Sequence, residues 1–489
     1  MLTIEGLNLS IGGDALFNDL DLQVHNNEHV VIVGESGSGK STLLDLIADR
    51  HQAVSLAAST IVSTVLQEGA LVDHLSVIEN LELVNRYADK PINRERICQI
   101  LARLNIDASL YQASVSQLSG GQSQRVAIAR ALISEPDLIL FDEPDAGLDI
   151  ANLVSLGETI NDLCAEQGKT CISVSHNPFY IANVANKVFR LTDGQLTQIS
   201  HWLDLPRDNQ QRETRQLQLQ AELSTRHVRP SSNPRTRTVQ QWPVVSWFKG
   251  LASTALSILH WPRSFRDELY IAAYTSYLSL ITGLVFFALV GMMLGATTMA
   301  VVKILSDNAL SGWVGVFIKP ETLVTMMGGR YVLYLAPSIG AMLFVARSGS
   351  IVSNWLGEMV RSGQVRALEL LGVPTSQYLA APTVIALFIS MFASVSWFAF
   401  CVWLGGVIAT GQLFDLSNTN DVMAVSMRDV SQSLITLKTL IYSALVALTV
   451  VSLGLAPKKT THQVNIHTTK IIIYSTLSIA LAELVIILL

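Results

Sequence analysis

The sequence predicts two architectures in series. An α/β domain with a mostly parallel sheet and a helical subdomain comes first, and an all-α membrane domain of about five spanning helices follows. Three observations predict this. Short apolar runs alternate with helical stretches through residues 1–200, as strands and crossover helices do in a parallel sheet. Long uncharged runs dominate residues 266–489, and a spanning helix needs about 20 apolar residues. Charge divides the same way: of 72 Lys, Arg, Asp and Glu residues, 22 lie in 266–489 and 50 in 1–265. Overall the 489 residues are 50% hydrophobic and 15% charged, against about 25% charged in soluble domains. Neither a single soluble enzyme nor a disordered chain has that balance.

Residues 1–204 form the first domain. Val30–Val33 reads as a strand running into a Gly-rich turn, and Ser41–Arg50 as the helix after it. Leu138–Phe141 is a strand ending in two acids, and Ile172–Val174 a strand ending before Ser175 and His176. Residues 205–240 are Gln- and Arg-rich and poor in aromatics, the composition of a polar linker whose arginines could also meet anionic lipid. Residues 241–265 carry Trp242, Trp247 and Trp261 among scattered basic residues, which suits a helix lying in the membrane interface.

The membrane domain is expected over 266–489, with spans at 271–303, 327–350, 377–410, 431–456 and 468–489. Gly328, Gly329 and Pro337 interrupt the second. The N-terminus, MLTIEGLNLS, lacks the basic and apolar regions of a signal peptide, so the first domain is expected in the cytosol. An odd number of spans then puts the C-terminus on the periplasmic side of a bacterial inner membrane. Arg347, Arg361, Arg366, Lys458, Lys459 and Lys470 fall in the inner loops, and Asp307, Glu321, Asp415 and Asp421 in the outer ones, in line with the positive-inside bias. A net charge of −6 gives no case for nucleic-acid binding. Cys98, Cys164, Cys171 and Cys401 are widely spaced without a CxxC pair. They read as buried thiols in a reducing compartment rather than as a metal site or disulfide framework.

The chemistry lies in three motifs. GESGSGKST (Gly34, Glu35, Ser36, Gly37, Ser38, Gly39, Lys40, Ser41, Thr42) follows a strand and opens a helix. Its glycines turn backbone N–H groups inward around phosphate, Lys40 reaches the β/γ-phosphates and Ser41 offers a hydroxyl to Mg2+. LILFDEPD (Leu138–Asp145) brings Asp142 to the metal shell, with Glu143 next to it to polarise a water. LSGGQ (Leu118–Gln122) is the third.

With LSGGQ in place, the chain resembles the ATP-binding cassette (ABC) family. The order Gly34–Thr42 (Walker A), Gln67, LSGGQ, Leu138–Asp145 (Walker B), Ala146–Asp149 and His176 is the family's order. The resemblance implies a P-loop ATPase and a head-to-tail dimer, in which Walker A of one copy and Ser119, Gly120, Gly121 and Gln122 of the other enclose ATP. It also implies that Gln67 senses the metal and contacts the permease, and that His176 contacts the γ-phosphate. Two departures stand out. Ile11 occupies the region where the family's adenine-stacking aromatic sits, leaving Phe17 as a substitute or base recognition loose. Gln67 comes only 27 positions after Lys40, so part of the family's antiparallel subdomain is expected to be trimmed.

In the membrane half, SNWLGEMVRSGQVRALELLGVPTSQYLAAP (353–382) is a polar, helix-favouring stretch between two spans. It reads as a cytosolic coupling helix, with an ordinary loop helix as the alternative. The ELLGVPTSQYLAAP stretch, RDELY at Arg266–Tyr270 and the acid Glu483 in the last span are similar to the MlaE-like permeases of the maintenance-of-lipid-asymmetry system. Those permeases usually pair with a separate MlaF-like ATPase chain; here the two are fused. That similarity implies phospholipid movement between the inner and outer membranes and a periplasmic MCE-domain partner. Gly291 and Gly295 form GxxxG, expected at a close helix contact such as a homodimer seam. Glu483 is costly in hydrocarbon unless partnered, and is either a structural hydrogen-bond partner or a substrate-gate residue. Arg330 sits at an outer interface. Two rival readings stay open: an exporter of another apolar cargo, such as a lipid-linked glycan or organic solvent, and a mechanotransmitting ATPase that transports nothing.

Overall fold

The computed structural model describes residues 2–11, 14–148, 150–165, 168–199, 251–252, 254–256, 265–307, 332–413, 432–458 and 460–488. The expected linker, most of the interfacial region, both outer loops, Asp149, Gly328, Gly329 and Arg330 lie outside the described residues. So do the side chains of Ile11, Arg266 and Asp267. The chain divides into two compact units, Met1–Gln241 with Ser362–Pro374, and Trp242–Arg361 with Thr375–Leu489.

The first unit is built on two sheets. Strands β1 (Leu2–Ile11), β2 (Asp14–Val24) and β4 (Val54–Ser55) form an antiparallel sheet in the order β2-β1-β4. With β4 only two residues long, this sheet is short on the side that the brief Lys40–Gln67 interval leaves small. The main sheet has the order β5-β6-β7-β3-β8-β9. Its strands are β3 (His29–Gly34), β5 (Val62–Val65), β6 (Leu138–Asp142), β7 (Thr170–Val174), β8 (Lys187–Thr192) and β9 (Gln195–Gln198). All its pairings are parallel except β8 with β9. Every residue of β3 is buried, which is why HVVIVG reads as a continuous apolar run rather than an alternating one.

The helices of this unit are α1 (Lys40–Ala48), α2 (Val77–Tyr87), α3 (Arg94–Arg103), α4 (Gly120–Leu132), α5 (Ile150–Ala165) and α6 (Pro178–Val184). Leu43, Leu44 and Ile47 of α1 join Val30, Ile32, Leu138, Leu140, Ile172 and Val174 in one buried cluster. The helix that opens at Lys40 is thereby fixed onto the strands that end at the phosphate loop and at Asp142. Phe17 belongs to the same cluster and is 1% exposed, so it has no face to offer adenine. The substitution expected for it does not occur.

The second unit is helical: α7 (Phe265–Ser279), α8 (Leu284–Asp307), α9 (Val332–Phe344) and α10 (Ser350–Arg361). After α11 (Gln364–Leu370), which clusters with the first unit, come α12 (Ala381–Leu413), α13 (Gln432–Gly454) and α14 (Thr461–Leu488). Single π-helical turns, Val345–Gly349 and Ser376–Ala380, join α9 to α10 and lead into α12. By length and apolarity five segments can cross a membrane: Leu269–Val301, Tyr334–Arg361, Ser376–Leu413, Leu434–Gly454 and Thr461–Ile486.

Two readings of this region change. The second span runs on to Arg361, so SNWLGEMVR belongs to it. Val352, Leu356 and Met359 are buried on one face, while Glu358 and Arg361 pair on the exposed side. Only α11 is left as a separate element, opened by Gly363 at φ 75°. The GxxxG contact also lies within the chain: a Cβ on Gly291 would stand 2.9 Å from Cys401 Cβ, and one on Gly295 would strike the Val402 carbonyl. Small residues on α8 let it lie against α12. Lys438 lies inside the fourth span, 3% exposed, with its Nζ 2.6 Å from Glu483 Oε1. Tyr442 and Ser338 donate hydroxyl hydrogen bonds to Glu483 Oε2. Glu483 thus has three partners from α9 and α13, which meets the requirement for a charge held in hydrocarbon.

Candidate functional site

The phosphate loop leaves β3 at Gly34, turns through a Ser38 N–H to Glu35 O bond of 3.2 Å and enters α1 at Lys40. Gly39 caps that helix at φ 99°, a left-handed conformation that costs a side-chain-bearing residue free energy. The first N–H groups of α1, with their partial positive charge, point back along the helix axis toward the loop. Glu35, Ser36 and Gly37 are exposed, and Ser38, Gly39 and Thr42 half-buried. The Ser38 hydroxyl is buried without a hydrogen-bond partner.

Lys40 is 6% exposed, and its Nζ donates to Gly34 O at 2.9 Å and Glu35 O at 2.8 Å. Burial lowers its pKa, with the charges of Glu143 and Asp142 opposing. Ser41 Oγ donates to Asp142 Oδ1 at 3.0 Å. Burial pushes the Asp142 carboxyl up, while its Ser41 bond pulls it down. Glu143 turns off the end of β6 at φ 47°, its N–H bonded to Val174 O of β7 at 3.0 Å. Its Oε1 lies 3.7 Å from His176 Nε2. Burial lowers the His176 pKa, as does the charge on Lys40, with the charge on Glu143 opposing.

The structure therefore brings Lys40, Ser41, Asp142, Glu143 and His176 to the ends of β3, β6 and β7. Gln67 stands exposed at the start of the turn Gln67–Ala70. Ser119 caps α4 and shares a reciprocal capping box with Gln122: Ser119 N–H to Gln122 Oε1 at 2.9 Å, and Gln122 N–H to Ser119 Oγ at 3.3 Å. Ser119 and Gly120 are exposed and Gly121 is packed against Asn152. The capping hydrogen bonds of this motif are local to it.

Sequence reasoning missed Asp145 as a member of the site. Burial raises its pKa to about 6, with a hydrogen bond from Ser175 opposing. It links the turn after Glu143 to the residue before His176. Its position two residues past Glu143 was the available signal.

The residues fit Mg2+ and a nucleotide triphosphate. Ser41 Oγ and Asp142 Oδ1 present two hard oxygens 3.0 Å apart, leaving the remaining octahedral positions to phosphate oxygens and water, as this ion prefers. Among the described residues no group of three or more His, Cys, Asp or Glu side chains stands ready to cage a metal.

Family comparison agrees with this geometry. The model described as ABC transporter matches residues 17–146, and the one described as Permease MlaE matches 272–489. The glutamate/glutamine/aspartate/asparagine transport ATP-binding protein BztD of Rhodobacter capsulatus is 34% identical over 235 residues, 44% of this chain and 89% of BztD. The Fe(3+) ions import ATP-binding protein FbpC of Pseudomonas fluorescens is 35% identical over 230 residues, 43% of this chain and 64% of FbpC. A dimeric post-hydrolysis structure of the ATP-binding cassette MJ0796, bound to ADP and Pi, aligns with 41% of this chain and 98% of its own at 26% identity and a TM-score of 0.38. The chain belongs to the ABC transporter family, as an ATP-hydrolysing cassette that binds ATP with Mg2+ fused to an MlaE permease domain in one multi-pass membrane polypeptide.

Proposed function

We propose that the protein is a homodimeric ATP-driven phospholipid transporter of a bacterial inner membrane. In this reading residues 1–204 are the ATP-binding domain, 205–240 a linker, 241–265 an interfacial helix region and 266–489 the permease. The ATPase faces the cytosol and the C-terminus the periplasm. A periplasmic MCE-domain lipid-binding protein docks on the permease pair and exchanges phospholipid with it.

Each ATP is enclosed by Gly34–Thr42 of one copy and Ser119–Gln122 of the other. The capped N-terminus of α4 offers amide hydrogens to the γ-phosphate, so nucleotide binding draws the copies together. Lys40 moves from its own loop carbonyls to the β/γ-phosphates and offsets their charge. Ser41 and Asp142 would hold Mg2+, which when bound would neutralise charge on the phosphate oxygens. Glu143 orients and polarises the attacking water. His176, 3.7 Å from Glu143, donates its ring N–H to the γ-phosphate. Gln67 reports metal occupancy to the permease.

The observation that carries the coupling is the place of Ser362–Pro374. In the chain this segment joins two membrane spans, yet it clusters with the ATPase unit. Gln364, 3% exposed, donates to Asp73 Oδ2 at 2.7 Å, six residues beyond Gln67. The substrate class rests on the MlaE permease match and on apolar spans whose embedded acid, Glu483, is already partnered.

The test is reconstitution in liposomes with a labelled phospholipid and a soluble lipid-binding acceptor. ATP-dependent transfer of phospholipid supports the reading. ATP hydrolysis at full rate with no lipid transferred, and none bound to the purified protein, refutes it and favours a mechanotransmitting ATPase.

A further inference from the structure

One pair of reactive side chains in the ATPase unit takes no part in the nucleotide chemistry. Cys164 lies in the last turn of α5, and Cys171 is the second residue of β7. The chain turns back between them through Gly168 at φ 64°, and Lys169 N–H bonds to Leu163 O at 3.1 Å. That turn sets the sulfurs face to face, Cys164 donating to Cys171 Sγ at 3.1 Å. Cys171 is fully buried and Cys164 is 7% exposed. Both are free thiols.

The surroundings explain what the pair connects. From Glu143 the chain runs through α5, crosses at the thiols and returns along β7 to His176. The base of this excursion is the 3.7 Å contact between Glu143 and His176, and its far end is the cysteine pair. We propose that Cys164 and Cys171 form a reversible disulfide site, an oxidisable pair whose bond staples α5 to β7 and slows ATP turnover.

The two sulfurs are unequal. Once Cys164 loses its proton the contact reverses, Cys171 S–H donating to the thiolate; this eases loss of the Cys164 proton against the opposing effect of burial, and together with burial it holds the Cys171 proton on. Cys164 also sits at a helix end, where local opening costs least. It is therefore the attacking thiol, with Cys171 as its resolving partner. With hydrogen peroxide as oxidant, the Cys164 thiolate displaces hydroxide from the O–O bond and becomes a sulfenic acid; the hydroxide takes the thiol proton and leaves as water. Cys171 then attacks that sulfur, its proton passing to the sulfenic oxygen as the S–O bond breaks, so the S–S bond forms and a second water departs. One peroxide and two thiols give one disulfide and two waters, and a thiol reductant reverses the bond by exchange. A reducing cytosol keeps the resting pair as dithiol, so the bond reports oxidative load rather than serving as a permanent staple.

The experiment uses the full-length protein in detergent, treated with hydrogen peroxide, alkylated and mapped by peptide mass. Cys98 and Cys401 serve as internal controls. The expected result is a Cys164–Cys171 cross-link, at least a twofold fall in ATP turnover, and recovery of both by dithiothreitol. Cys164→Ala, with Cys164→Ser as the polar alternative, is expected to hydrolyse ATP normally and resist the oxidant. Absence of the cross-link, sulfinic acid on a single cysteine, or a cross-linked protein with undiminished turnover would overturn the proposal.

Discussion

Arg366 and Asp49 form an ion pair in which one guanidinium nitrogen lies 3.0 and 2.9 Å from the two carboxylate oxygens. The same nitrogen is 3.5 Å from Asp45 Oδ1. Asp45 is on α1 and Asp49 caps its end, so the segment between two membrane spans holds the helix that begins with Lys40 and Ser41. All three side chains are at least a third exposed. Such pairs contribute roughly 0.2–1 kcal/mol, enough to bias a docking equilibrium and weak enough to release.

Charge reversal tests that contact. Arg366→Glu is expected to lower lipid moved per ATP by about three- to fivefold, at the upper end of what 1 kcal/mol allows. Adding Asp49→Arg should restore most of the loss. A double variant no better than the two single losses combined would show that the pair does not couple.

Glu143→Gln separates binding from chemistry. The amide keeps the shape at φ 47° and the contact region of His176 but cannot polarise water as a carboxylate does. Turnover should fall by about 10²- to 10⁴-fold while ATP binding persists, so the variant accumulates as an ATP-bound dimer by light scattering. Ordinary turnover would remove Glu143 from the mechanism.

His29 predicts an acid-sensitive fold. It is fully buried on β3, and desolvation lowers its pKa from 6.5 to about 3. Its Nε2 lies 2.6 Å from Ser173 Oγ, which meets Tyr180 OH at 2.8 Å. Because the folded pKa is depressed, the unfolded chain binds a proton first as pH falls below about 6.5. Stability is then lost at about 1.4 kcal/mol per pH unit from this residue, down to pH about 3. His29→Gln should flatten that slope in urea titrations of ATPase activity between pH 6.5 and 4. An unchanged slope would place the acid sensitivity elsewhere.

Lys438 and Glu483 are expected to be worth more together than apart. Lys438→Met leaves a carboxylate in hydrocarbon without its 2.6 Å partner, a loss of about 3–5 kcal/mol for a buried pair. Lys438→Met with Glu483→Leu should recover much of it. Thermal unfolding in detergent reads the difference, and strictly additive losses would mean the pair is not coupled.

The phosphate site was legible because its chemistry is bound to contiguous motifs. Gly34–Thr42 and Asp142–Glu143 each carry their strand, turn and helix on the page, and the structure gathers them at the ends of β3 and β6. Features made by distant residues were not legible. Lys438 falls within the expected fourth span, but its partner Glu483 is 45 positions away and no local pattern joins them. The stretch 353–361 looked polar enough for a loop, but Val352, Leu356 and Met359 supply an apolar face every three or four residues. Phe17 was an aromatic in a suitable place by sequence, and only packing showed it to be committed to the core. Cys164 and Cys171 are seven residues apart across a helix-to-strand turn, a spacing that by itself sets no distance between them.

The measurement that bears most directly on the account is the amount of phospholipid bound per dimer in lipid nanodiscs, compared between nucleotide-free protein and Glu143→Gln held with ATP. The account predicts stoichiometric phospholipid in one state and its displacement in the other. Equal lipid in both states, or none in either from protein that hydrolyses ATP normally, would contradict it.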